Sequence, residues 1–125
     1  MTTTHPQFKS EDQLQAYLWK IARNEFPKSN RHIWAVPNAG KRSDYEQQKL
    51  KATGLLKGVW DLHCFYGGKF YIFELKFGKN KLDPDQKRWG ALMIEQGAIH
   101  YEIRENEVDK FRSIMAGIFG PPRIL

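Results

Sequence analysis

The stretch that decides the fold is Lys57-Gly58-Val59-Trp60-Asp61-Leu62-His63-Cys64-Phe65-Tyr66-Gly67-Gly68-Lys69-Phe70-Tyr71-Ile72-Phe73-Glu74-Leu75-Lys76. Two runs rich in β-branched and aromatic residues flank a Gly-Gly pair, the pattern of a tight β-hairpin. With Gly67 and Gly68 as the loop, Asp61 falls opposite Glu74. Opposite residues of an antiparallel pair share a face, with Cβ atoms roughly 4.5–5.5 Å apart. One face then carries Trp60, Leu62, Cys64, Tyr71, Phe73 and Leu75, apolar throughout and suited to a core. The other carries Val59, Asp61, His63, Phe65, Phe70, Ile72, Glu74 and Lys76. Two facing carboxylates repel unless a cation sits between them, and Lys76 reaches the same face by strand periodicity. Hard divalent cations take carboxylate and carbonyl oxygens, so the set has the composition of a metal site. On the residues alone, a solvated hairpin edge with ordinary surface charges is the competing reading.

The whole chain has 125 residues, enough for one domain with its own core and too few for two. Apolar content of 41% and aromatic content of 14% exclude disorder. Twenty Lys and Arg against fourteen Asp and Glu leave a net charge of +6, which favours an anionic partner, nucleic acid first. A single cysteine, Cys64, excludes an intramolecular disulfide and a Cys-type zinc site. Its place on the apolar hairpin face reads as a buried structural thiol. Neither a signal peptide nor an apolar run of ~18 residues is visible, so a soluble, cytoplasmic protein with no membrane partner is expected.

Around the hairpin the elements follow in order. Residues 1–10 read as a polar leader expected to be mobile. Ser10 is a good N-cap, and the spacing of Leu14, Leu18, Ile21 and Ala22 predicts a helix over 11–26 that Pro27 stops. Residues 32–36 read as a short strand and 38–40 as a turn. A second helix is expected over 45–53, ended by Gly54. Beyond Lys76 comes a basic loop, 77–82, and then Asp83-Pro84, an N-cap followed by proline at the first helical position. That helix reaches 96, a strand covers 98–103, and a last helix covers 105–116. The tail, 118–125, is apolar. The order α-β-α-β-β-α-β-α predicts an α/β domain with a central mixed sheet flanked by helices.

Gly54, Lys57-Gly58-Val59-Trp60-Asp61, Glu74-Leu75-Lys76 and Gln86, in that order, resemble the motif series of the PD-(D/E)XK nucleases. More narrowly they are similar to the small stand-alone VRR-NUC (virus-type replication-repair nuclease) proteins of phages and bacteria. The likeness extends upstream through Pro37-Asn38-Ala39-Gly40-Lys41-Arg42-Ser43 and reaches an acid of the first helix. It implies a restriction-endonuclease-like single domain over 11–117 and phosphodiester hydrolysis with Mg²⁺ or Mn²⁺. Asp61, Glu74 and the Leu75 carbonyl would hold the metal and Lys76 would serve the attacking water. Glu11, or its neighbour Asp12, would complete the acidic set. Gln86 would bond a phosphate or the surroundings of the metal, its alternative being a helix-surface or half-buried amide. The family usually has proline just before the aspartate; this chain has Trp60.

The resemblance also implies DNA, branched as for Holliday-junction resolving enzymes, as the substrate, a homodimer as the acting form, and a bacterial or phage-infected cell as the setting. The apolar tail could help form the dimer. A flap or nicking nuclease without junction preference, and a catalytically inactive DNA-binding protein, stay open. Two basic segments adjoin the site: Lys41, Arg42, Lys49, Lys51 and Lys57 before the hairpin, Lys79, Lys81, Lys87 and Arg88 after it. As a group they read as a nucleic-acid track. The turn from Asn38 to Ser43 could offer backbone amides to a phosphate. His63 reads as a packed or partly exposed side chain, and the other histidines lack ligand spacing. Trp19, Trp34 and Trp89 are expected in the core, while Trp60 could lie at a second interface.

Overall fold

The computed structural model describes residues 7–37 and 43–124. Asn38, Lys41 and Arg42, read above as phosphate contacts, therefore lie outside the described residues. The first helix, α1 (Glu11–Glu25), starts where expected: the Ser10 hydroxyl oxygen accepts from Gln13 N, and Glu11 and Asp12 sit in the positive first turn. Phe8, within the stretch expected to be a mobile leader, packs edge-on against Tyr17 at 5.4 Å between ring centres. A short 3-10 turn, Pro27–Ser29, leads into β1 (Ile33–Ala35). Next come α2 (Asp44–Ala52), β2 (Leu62–Tyr66), β3 (Lys69–Lys76), α3 (Pro84–Glu95), β4 (Ile99–Arg104) and α4 (Val108–Phe119).

The four strands form one mixed sheet in the order β1-β2-β3-β4. The first three are antiparallel neighbours, whereas β4 runs parallel to β3. Register on the hairpin is as the Gly-Gly loop dictates: Leu62 pairs with Phe73, His63 with Ile72 and Tyr66 with Lys69. Three layers result. On one side of the sheet, α1 supplies Leu14, Leu18, Ile21 and Ala22 and α4 supplies Val108, Phe111, Met115 and Phe119 to the main core. They meet Leu62, Cys64, Tyr71, Phe73 and Leu75 there. On the other side α3 covers a smaller cluster of Trp60, Ile72 and Ala98, flanked by Phe70, Leu82, Trp89 and Met93.

Three expectations change. Trp60 leaves the apolar face to which strict alternation assigned it and joins the α3 side. The reason is local: the chain bends at Asp61 and β2 begins only at Leu62, so the period of two does not reach back to Trp60. Trp34 is 39% exposed on the edge strand β1 rather than core. The last helix starts and ends three residues later than expected. Residues 104–107 make a turn first, in which Arg104 N donates to Glu107 Oε1 and Glu107 N donates to Arg104 O. As a result Ile118 and Phe119, read as part of a tail, are helical, and Phe119 is buried. Cys64 is a buried free thiol pushed up to about 11 by desolvation, inert as a nucleophile at neutral pH.

Candidate metal centre

β3 is longer than β2, and that overhang builds the site. Pairing stops at Leu62 and Phe73, so Glu74, Leu75 and Lys76 extend past the end of β2. Asp61, at the bend, replaces the missing ladder: its Oδ2 accepts from Leu75 N at 2.8 Å. In an antiparallel pair a residue's N–H and C=O face the same neighbour, so the Leu75 carbonyl is directed to the edge where Asp61 sits. The Glu74 side chain is fully buried, and Lys76 is 6% exposed.

Glu11, from the first turn of α1, closes the group. Ligand oxygens of Glu11, Asp61 and Glu74 all lie within 4.8 Å of one another. Adjacent Asp12 is exposed and stands outside this trio, although it lines the same cavity. That cavity, about 400 Å³, is walled by Glu11, Asp61, Val36 and Pro37. A second of about 280 Å³ shares these residues and adds Lys57, Asp83, Asp85 and Gln86. Glu11 and Asp61 thus stand where two open clefts meet, with the buried Glu74 carboxyl within 4.8 Å of them.

Gln86 is the third position of α3, and its amide has several partners. Its Oε1 accepts from Lys76 Nζ at 2.8 Å and from Asp83 N at 3.0 Å, completing a capping box with the Asp83 carboxylate. Its Nε2 donates to Glu74 Oε2 at 2.8 Å. Lys76 Nζ lies 3.2 Å from that same Oε2. The Gln86 side chain therefore sits half-buried against the acidic centre and not on the open surface of the helix.

Electrostatics mark the cluster as incomplete by itself. Burial raises the Glu74 carboxyl, and the Asp61 charge raises it further, to about 8. Desolvation also raises Asp61, against the lowering effect of the Leu75 N–H. One Glu74 oxygen is shared by Gln86 and Lys76; the other, Oε1, is buried with no hydrogen-bond donor among the described residues. A buried acceptor without a donor is costly. Three carboxylates, one orphaned oxygen and a backbone carbonyl on the same edge fit a hard divalent cation.

The basic residues divide. Lys57 shares the second cleft with the acids. Lys79 and Lys81 are exposed on the loop after β3, which Arg104 braces by donating to the Gly78 and Asn80 carbonyls. Lys87 instead lines a separate groove with Leu82 and His100, behind α3. Ser43 spends its hydroxyl oxygen as N-cap of α2, accepting from Glu46 N. His63 is buried, stacked on Trp89 at 5.2 Å and 8° between ring planes, and held neutral by desolvation. Missed from the sequence was the contact between the Trp60 indole and the Gln86 backbone; the only hint was an aromatic residue immediately before the aspartate.

Among the described residues no helix is long and apolar enough to cross a membrane. No family model and no curated protein matches the chain. Among solved structures it is similar to a VRR_NUC domain protein, with a TM-score of 0.68 at 19% sequence identity, over 95% of this chain and 100% of that one. Among the described residues the α/β architecture, a four-stranded mixed sheet with four helices, is therefore the fold of that VRR_NUC domain protein.

Proposed function

We propose that this protein is an endodeoxyribonuclease that requires Mg²⁺ or Mn²⁺ and acts as a homodimer on branched DNA in bacterial or phage replication, recombination or repair. The observation that carries the reading is the meeting of Glu11, Asp61 and Glu74 oxygens within 4.8 Å, with Lys76 on the same strand as Glu74. The similar solved structure, a VRR_NUC domain protein, supports it at the level of fold. Asp61, Glu74, Glu11 and the Leu75 carbonyl hold the metal. When bound, that ion polarises the scissile phosphate and stabilises the charge that builds on it. Lys76 has three donors; it gives one to Gln86 and can aim another at the attacking water. Gln86 holds Lys76 and Glu74 in register. Lys57, Lys79 and Lys81 contact phosphates and position the strand without reading bases.

Two active sites related by a two-fold axis suit two-fold branched DNA. In the tail, Ile124 is 96% exposed and open to a partner, whereas Phe119 is committed to the core. The test is cleavage of a four-way junction beside matched duplex, flap and single strand, in Mg²⁺ or Mn²⁺. Symmetric paired nicks on the junction, reduced at least about 100-fold by Glu74→Ala, are the expected result. Cutting of flaps alone would keep the nuclease and discard the junction preference. Binding that survives EDTA with no cutting of any substrate would make it a DNA-binding protein. A monomer by light scattering, with and without junction, would remove the dimer.

A further inference from the structure

Trp60 occupies the place where the hairpin and α3 touch backbone to backbone. Its indole is 2% exposed, and its Nε1 donates to the Gln86 carbonyl at 2.9 Å. In an α-helix that carbonyl also accepts from the N–H four residues on, which is Gly90. A Cβ on Gly90 would stand 2.6 Å from Trp60 Cζ2 and 2.9 Å from Cε2, closer than such atoms approach. The missing side chain is what admits the indole to the carbonyl. Gly58 does the same one turn earlier: it has φ +87°, and a Cβ there would lie 2.4 Å from the Asp85 carbonyl oxygen. Segment 58–61 and the first two turns of α3 are thus keyed together, by glycine from each side and one indole.

We infer that Trp60 is a positioning residue for the metal centre, acting through Gln86. The inference rests on the reading of Asp61 and Glu74 as metal ligands. The indole fixes the backbone of the very residue whose amide touches Glu74 Oε2 and Lys76 Nζ, each at 2.8 Å. With Oε2 so engaged, Oε1 is the Glu74 oxygen left to face Asp61 and Glu11. A shift of α3 by about 1 Å would part Gln86 from Glu74, and misplacement on that scale can cost about 100-fold in rate. Ile72, Ala98, Leu82 and Met93 also hold α3 to the sheet, but they do so through side-chain packing. Trp60 couples the helix to the site by a directed bond. It thereby does from the hairpin what a partner just outside a metal's ligands does elsewhere.

A double-mutant cycle separates positioning from mere packing. Trp60→Phe keeps most of the ring and removes the N–H; Gln86→Ala removes the amide. Each variant is measured for Mn²⁺ affinity, for kcat and KM of cleavage, and for thermal midpoint. Trp60→Phe should weaken Mn²⁺ binding and lower kcat by about 10-fold, within the range of such outer partners, with KM little changed. In the Gln86→Ala background it should alter neither, while its effect on the thermal midpoint persists. Gly90→Ala, which drives a methyl into the indole, should repeat the Mn²⁺ defect. A lower midpoint with unchanged Mn²⁺ affinity, or effects that multiply in the double variant, would overturn the inference. If the wild type binds Mn²⁺ yet cuts nothing, the nuclease reading falls and the Mn²⁺ cycle alone decides Trp60. If the wild type binds no Mn²⁺, both fall.

Discussion

The two faces of the β2–β3 hairpin share one backbone and have opposite characters. Toward α1 and α4 stand Leu62, Cys64, Phe73 and Leu75, each at most 1% exposed, in a layer with no charge. Toward α3 the same strands carry Ile72 and His63 beneath aromatic rings at one end, and Asp61, Glu74 and Lys76 at the other. The first face gains stability from every group it buries. The second buries a carboxyl that desolvation and the Asp61 charge push up to about 8, so ionising it costs stability unless a cation stands beside it. Substitutions on the two faces should therefore move stability in opposite directions, even at adjacent positions of one strand.

The largest effect is expected on the uniform face. Phe73 is fully buried and meets Phe111 at 5.7 Å and Tyr101 at 5.5 Å between ring centres. Phe73→Ala should cost about 3–5 kcal/mol in urea unfolding, at any pH and with or without metal. A loss below about 1 kcal/mol, or one that depends on Mn²⁺, would erase the distinction between the faces.

Next door, Glu74→Gln should do the reverse when no metal is present. The folded state raises this carboxyl from 4.5 to about 8, so between those values the native chain holds more protons than the unfolded one. Stability of the metal-free wild type then falls as pH climbs from about 4.5 to about 8. Glutamine removes the charge and should be nearly neutral at pH 5. At pH 9 it should stabilise by about 1–3 kcal/mol, the scale of relieving a buried polar group. Mn²⁺ should stabilise the wild type at pH 8, by about 2.7 kcal/mol at a hundredfold excess over its Kd, and leave Glu74→Gln unmoved. Chelation with EDTA should reverse the gain. Melting curves at three pH values, with Mn²⁺ or EDTA, decide this. A metal-free protein equally stable at pH 5 and pH 9 would contradict the stored charge.

The sequence announced one face far better than the other. Alternation and a Gly-Gly turn suffice to set register, and register alone brings Leu62 to Phe73 and Asp61 toward Glu74, because a period of two tolerates no slip. Glu11 was harder, since helix dipoles favour acids at any N-terminus; only its proximity to Asp61 separates it from Asp12. Trp60 escaped pattern reading because it precedes the strand, where the bend at Asp61 cancels the period. Gln86 as bridge, and Lys87 behind α3, depend on how that helix is rotated about its axis. An apolar stripe gives the rotation only to within a residue or so, whereas the indole bond and Gly90 set it outright.

That rotation supplies the smallest and most specific contrast, between two lysines that look alike in the sequence. Lys57 opens on the cleft shared with Asp61 and Gln86, while Lys87 lies on α3 in the groove with Leu82 and His100. If DNA approaches the acidic cleft, Lys57 and not Lys87 is the one of this pair that can release a counterion there. Lys57→Ala should reduce the slope of log K against log salt by about 0.9 for duplex arms and weaken binding several-fold at low salt. Lys87→Ala should leave the slope within error of the wild type. Binding in Ca²⁺, which should support DNA association while slowing cleavage, titrated over roughly 50–200 mM KCl, reads both. Equal losses from the two lysines would mean that DNA wraps past α3 to its far side, extending the nucleic-acid face to the groove behind Trp60. A loss from Lys87 alone would move the approach of the substrate away from the carboxylates, and with it the reading of which face of the hairpin meets DNA.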